Sequence, residues 1–223
     1  MSGTSMDGVD AAVVVTDGEA IAGYGPRHFR PYAEGERALL RRAVADARGL
    51  GDRMARPGAL AEAEPMVTAA HREAVLALLE SHPQTRVDLV GFHGQTVFHA
   101  PAQRLTVQIG DGPALARALG LPVVYDFRAA DVAAGGEGAP LVPVYHDALV
   151  RRAGLTGNVA IINIGGVANL TRIGSDGTLV AGDTGPGNAL LDDLMQSRAG
   201  VAMDEDGRMA AAGKVDRKAL AAL

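Results

Sequence analysis

The sequence contains no cysteine, which excludes disulfide frameworks, thiolate metal sites and thiol nucleophiles together. It has no apolar run of membrane-spanning length and no basic-then-apolar start, so no membrane partner is expected and the cytoplasm is the expected compartment. Excess positive charge is missing too. Lys and Arg number 21 against 26 Asp and Glu, a formal net charge of -5 that removes the basis for general nucleic-acid binding. No glycine-lysine-serine/threonine triplet follows any glycine-rich turn, so the P-loop is excluded as well. What remains is an ordinary globular composition. The 223 residues are 48% hydrophobic with a mean hydropathy of +0.09, enough for one large or two small domains with real cores.

The most informative stretch runs from Asn163 to Asn188 and reads NIGGVANLTRIGSDGTLVAGDTGPGN. The apolar run over residues 159–162 predicts a buried strand, so Gly165 and Gly166 fall where the chain leaves a sheet. Backbone without Cβ atoms can approach a phosphate there. Residues 167–173 read as a second strand, Asp176-Gly177 as a tight turn and residues 178–181 as the returning strand. That hairpin carries Asp183 to a sheet edge. Thr184-Gly185-Pro186-Gly187-Asn188 then bends into a helix from Ala189, whose first N–H groups are free to receive an anion. On the residues alone a plainer reading stays open: a glycine pair in an ordinary loop, and an aspartate bonded to the turn beside it.

The N-terminus repeats the pattern. Gly3-Thr4-Ser5-Met6-Asp7-Gly8 is a glycine-flanked polar turn, followed by an apolar run over residues 9–15, Asp17-Gly18, and a strand over residues 21–24. Two units of the same order suggest internal duplication. Two-lobed nucleotide-binding folds hold phosphates with such hairpin turns, backbone N–H groups and small hydroxyls aimed inward.

Elsewhere the spacing predicts helices over residues 34–48 and 59–81, with Pro65 kinking or dividing the second. His71 and His82, lacking partners at ligand spacing, are expected at the surface. A short strand over residues 87–91 ends in Phe92-His93-Gly94-Gln95-Thr96, where α/β folds place ligand contacts. Here too His93 and Gln95 can simply satisfy loop backbone. Residues 105–109 continue the sheet, and Asp111 reads as the N-cap of a helix over 113–119 with proline in its first turn. After a strand over 123–127, Arg128 presents a permanently charged planar fork suited to a sugar carboxylate or a phosphate oxygen. Residues 133–138 (AAGGEG) form a small-residue crossing suited to a hinge, and residues 140–152 a further helix.

The segments GTSMDGVDAA, GFHGQTVFH, VQIGDGPALA, VVYDFRAADVAAGGEGAPLVP, NIGGVANLT and GDTGPGN together resemble the anhydro-N-acetylmuramic acid kinases, a family of the sugar-kinase, heat-shock-chaperone and actin superfamily. The likeness runs from Gly3 to about Gly213 in the family's order. It implies an α/β chain with a two-lobed, actin-like (ribonuclease-H-like) ATPase fold. The N-terminal lobe would cover residues 1–137, and residues 138–223 would begin an incomplete second lobe. It also implies a first strand ahead of the GTSMDG turn and well over a hundred residues beyond residue 223, so the sequence reads as truncated at both ends.

The activity implied is ATP-dependent opening of 1,6-anhydro-N-acetylmuramic acid with phosphorylation to N-acetylmuramic acid 6-phosphate, in cell-wall recycling. ATP would lie on Gly3, Thr4, Ser5, Met6, Asp7, Gly8, Val9 and Asp10 and on Asn163, Gly165 and Gly166. The amino sugar would face His93, Gln95, Thr96 and Arg128. Opening the bridge with water ordinarily takes two carboxyl groups. A kinase can dispense with one, because the departing 6-oxygen is captured by phosphorus, and Asp183 is the expected general base. Mg²⁺ would be met through water by Asp7 and Asp10. A homodimer is among the expected assemblies. The alternatives are an actin- or chaperone-like ATPase module, which needs none of the polar set at 93, 95, 96, 128 and 183, and an inactive fragment.

Overall fold

A computed structural model describes residues 1–3 and 5–221. The chain divides into two compact units, residues 1–154 and 155–223, and is mixed α/β throughout.

The first unit opens with a hairpin of β1 (Gly8–Thr16) and β2 (Ile21–Pro31). Asp17 builds its turn by accepting from the amides of Glu19 (2.9 Å) and Ala20 (2.7 Å), while Gly18 takes φ +100°. The second strand runs well past its expected end at Tyr24. Gly25 and Pro26 sit in a bulge where the register shifts between Ala12 and Val14, so proline's missing donor interrupts no ladder bond.

The core of this unit gathers on two helices, α1 (Glu34–Asp46) and α2 (Leu60–Ser81). Leu60, Ala63, Val67, Ala70, Ala74 and Leu78 make one buried stripe at helical spacing, and all but Leu78 share a core cluster with Leu39, Leu40 and Ala43 of α1. Pro65 neither divides nor ends α2. It lies on the exposed side with Ala61, the residue whose carbonyl loses its helical partner, so the missing bond falls where solvent can reach it. Arg30 fastens β2 to both helices through Glu36 (2.5 and 2.8 Å) and Glu73 (2.8 and 3.0 Å).

Beyond α2, β3 (Val90–Phe92) pairs in parallel with β6 (Val123–Tyr125), and β4 (Gln95–Ala100) forms an antiparallel hairpin with β5 (Leu105–Ile109). Helix α3 (Gly112–Leu119) connects β5 to β6. As expected, Asp111 caps it, accepting from Ala114 N at 2.8 Å. A short helix that sequence spacing did not predict, α4 (Ala129–Ala134), follows β6, and α5 (Val142–Arg152) closes the unit.

The second unit is a three-stranded antiparallel sheet, β7 (Val159–Ile164), β8 (Val167–Ile173) and β9 (Leu179–Pro186), in that order. Asp176 builds the β8–β9 turn by the same device as Asp17, accepting from Thr178 N at 3.0 Å with Gly177 at φ +81°. Among the described residues the α-helices that follow are α6 (Ala189–Ala199), α7 (Arg208–Ala212) and α8 (Arg217–Leu220). Before α7, Asp204 accepts from the amides of Met209 and Ala210, both at 2.9 Å, and so caps the start of that helix.

Candidate active site

The N-terminal glycine turn stands on a buried base. Gly3, Ser5 and Asp7 are exposed, while Ser2, Gly8 and Val9 are buried. Met6 donates its amide to Gly3 O at 3.2 Å, closing a four-residue turn, and itself takes the left-handed region at φ +52°. Ser5 Oγ donates to Asp7 Oδ1 at 2.6 Å. A Cβ on Gly8 would strike the Arg30 carbonyl and the Phe29 ring, so only glycine lets β2 lie this close. Asp10 is exposed on β1, whereas the Val9 side chain points into the core at 1% exposure and offers a ligand only backbone. Thr4 lies outside the described residues.

The loop after β3 brings two of the predicted residues into contact. Arg128 donates to His93 Nε2 from Nε at 3.2 Å, with Nη2 at 3.1 Å. Because a guanidinium only donates, His93 Nε2 must offer its lone pair, and the ring proton sits on Nδ1, donating to Gly94 O at 3.0 Å. His93 is thus neutral with a defined tautomer. Burial, aided by the Arg128 charge, holds its pKa below the ordinary histidine value, against the opposing pull of the Gly94 carbonyl. Burial also lowers the Arg128 pKa.

The third face of the guanidinium, Nη1, donates to Gly138 O at 2.6 Å, while Gly138 N donates to Asp131 Oδ2 at 2.7 Å. The small-residue crossing is therefore gripped at Gly138 from both sides by the start of α4. Thr96, half-buried on β4, accepts from Gln108 Nε2 at 3.3 Å. Gln95 is only 1% exposed and its amide is engaged with Ser2, Gly3 and Thr96.

In the second unit, Asp183 is exposed on β9, an edge strand, opposite Asn169 of β8. Close by, the two glycine-rich turns are bonded to each other: Gly187 N donates to Gly166 O at 2.9 Å and Asn188 N to Gly165 O at 2.8 Å. A Cβ on Gly187 would collide with Gly165 O. Asn163, on β7 just before this turn, is exposed and pairs in register with Asn169.

Sequence reasoning missed His71. It is not at the surface: at 4% exposure it lies in the buried stripe of α2, edge-on to Phe92 with ring centroids 4.8 Å apart. The signal was present, since residue 71 falls four after Val67 and seven before Leu78. His82, half-buried at the end of α2, turns Nδ1 back to Leu78 O at 3.1 Å. Among the described residues no cluster of three or more His, Asp or Glu could hold a metal ion. Asp7 and Asp10, the carboxylates expected on the Mg²⁺ side, are both exposed. No helix among the described residues is long and apolar enough to cross a membrane.

The family model for anhydro-N-acetylmuramic acid kinase matches residues 1–223. Curated relatives of that name include one from Rhodopseudomonas palustris strain BisB18, 57% identical over all of this chain and 61% of its own length. Another, from Azorhizobium caulinodans, is 58% identical over 99% of this chain and 60% of its own length. A third, from Bradyrhizobium diazoefficiens, is 56% identical over 97% and 59% respectively. The chain thus spans about three fifths of the length of these relatives.

Proposed function

From the premise that the chain belongs to the anhydro-N-acetylmuramic acid kinase family, we propose that it carries the water-activating and sugar-recognising part of a kinase that opens the 1,6-anhydro sugar and phosphorylates it. The observation that carries this reading is an exposed carboxylate, Asp183, on an edge strand beside two mutually bonded glycine turns. Asp183 takes a proton from water as its oxygen bonds to the anomeric carbon. The bond from that carbon to the 6-oxygen breaks, the 6-oxygen bonds to the γ-phosphorus of ATP, and ADP departs. One carboxylate suffices because phosphorus, not a proton, captures the leaving oxygen.

Each glycine turn is a phosphate-binding element: Gly3 to Asp10 in one unit, and Asn163, Gly165 and Gly166 in the other. Their amides need no lysine to meet phosphate oxygens. Mg²⁺ would neutralise phosphate charge, with Asp7 and Asp10 outside its water shell. Arg128 meets the sugar's lactyl carboxylate, with His93 holding the fork in plane and Thr96 contributing a hydroxyl. The two-lobed actin-like fold, with a first lobe over residues 1–137 and the beginning of a second over 138–223, is part of the same proposal, as are cytoplasmic cell-wall recycling and a homodimeric state.

The test is mass-spectrometric detection of N-acetylmuramic acid 6-phosphate after incubation with MgATP and the 1,6-anhydro sugar. Product that disappears in Asp183→Asn is the expected result. ATP turnover that the sugar does not stimulate, with no phosphorylated sugar, would overturn the reading in favour of an actin- or chaperone-like ATPase.

A further inference from the structure

Gln95 sits at the start of β4, next to His93 and Thr96, where a ligand contact is the obvious assignment. Its surroundings argue otherwise. The side chain is 1% exposed, and the groups around it, Ser2 at 1% and Tyr32 at 4%, are equally buried. A continuous chain of hydrogen bonds runs through them. Tyr32 OH donates to Ser2 Oγ at 3.2 Å, Ser2 Oγ donates to Gln95 Oε1, and Gln95 Nε2 donates to Gly3 O at 3.3 Å. The remaining Gln95 contact goes to its neighbour's carbonyl, Thr96 O, at 3.4 Å. Both polar atoms of the amide therefore have partners inside the protein, and at 1% exposure the side chain offers a ligand almost no surface.

The destination of this chain is the base of the glycine turn. Gly3 O receives both Gln95 Nε2 and the Met6 amide that closes the turn. On the far side of the turn, Tyr32 N donates to Asp7 O at 2.9 Å, so the residue that begins the chain also grips the turn's exit. Met6 is held at φ +52°, a conformation a non-glycine residue keeps only where its surroundings over-determine it. Buried bonds of this sort hold a loop more firmly than exposed ones, because breaking one strands its partner without water.

We infer that Gln95, with Ser2 and Tyr32, is a positioning residue that fixes the GTSMDG turn for phosphate from beneath, and is not a contact to the sugar. Only the kinetic arm of the test rests on the kinase reading. The structural arm stands without it.

Gln95→Met keeps length and volume and removes the amide. Hydrogen–deuterium exchange followed by mass spectrometry should show the amides between Gly3 and Gly8 exchanging at least tenfold faster, while those of α2 keep their protection. Ser2→Ala, a smaller change, should act in the same direction, and the double variant should add little to Gln95→Met alone, as expected of members of one chain. Unchanged exchange at the turn in both single variants overturns the inference whether or not the protein is a kinase. In turnover assays the KM for MgATP should rise several-fold with the sugar KM unmoved, a split that general loss of stability would not produce. A raised sugar KM with an unmoved ATP KM would make Gln95 a sugar contact and overturn the inference. A protein without kinase activity would overturn the proposed function and leave the exchange result to decide this one.

Discussion

One buried histidine should give the protein a measurable sensitivity to acid. His71 donates from Nδ1 to Val67 O at 2.7 Å, and no protein group among the described residues reaches its Nε2. Burial is the main cause of a pKa lowered from 6.5 to about 4, and the Val67 carbonyl only partly opposes it. The folded protein therefore holds His71 neutral, whereas the unfolded chain takes up a proton as pH falls through 6.5. Above that value neither state is protonated and the stability is fully present. Between 6.5 and 4 the unfolded state binds the proton first, and stability falls by roughly 1.4 kcal/mol per pH unit. Below about 4 both states are protonated and the loss ends, at about 3 kcal/mol in all. At pH 5 about 2 kcal/mol of it has already been lost.

The assay is urea unfolding at pH 7.5 and pH 5, for the natural protein and for His71→Leu, which cannot titrate. At pH 7.5 the two should differ by less than about 1 kcal/mol, since leucine gives up one bond but also removes an unpaired buried acceptor. Between the two pH values the natural protein should lose about 2 kcal/mol more than the variant. Every other titrating group, His93 included, is common to both proteins and cancels in the comparison. Equal losses in the two proteins would refute the reasoning, as would an NMR titration of the His71 ring with its midpoint near 6.5.

Further outcomes follow from the site. Asp183→Asn should lower kcat by about 10²–10⁴-fold, the usual worth of a general base, with sugar binding by calorimetry nearly unchanged. Arg128→Ala should raise the sugar KM by roughly 10–100-fold through loss of a charge-assisted bond, and an unchanged KM would remove its carboxylate role. Gly187→Ala must push back the Gly165 carbonyl and should cost about 1–3 kcal/mol, read as a lowered unfolding midpoint. Asp111→Ala, which strips the cap from α3, should cost about 1 kcal/mol in the same measurement.

Features governed by neighbours in sequence were legible from the residues. The Asp17-Gly18 and Asp176-Gly177 turns carry their own acceptor and their own left-handed glycine, so no distant group is needed to form them. The Asp111 cap and the stripe of α2 belong to the same class. The motif segments also sufficed to place the chain in its family, and Asp183 emerged on an exposed edge strand beside the glycine turns as the hairpin pattern required.

Contacts between residues far apart in the chain were decided only by the tertiary structure. His93 and Arg128 are 35 residues apart, and which ring nitrogen bears the proton follows from their meeting. Ser2 and Gln95 are 93 apart, and their contact turns an apparent ligand residue into a buried support. The strand β2 continues through Gly25-Pro26 because the two residues form a bulge opposite the single residue Val13 of β1. His71 is polar by type and buried by position, and its neutrality follows from the stripe it occupies. In each case the deciding energy is desolvation or a long-range hydrogen bond, quantities that local composition does not encode and that exist only once the chain has folded.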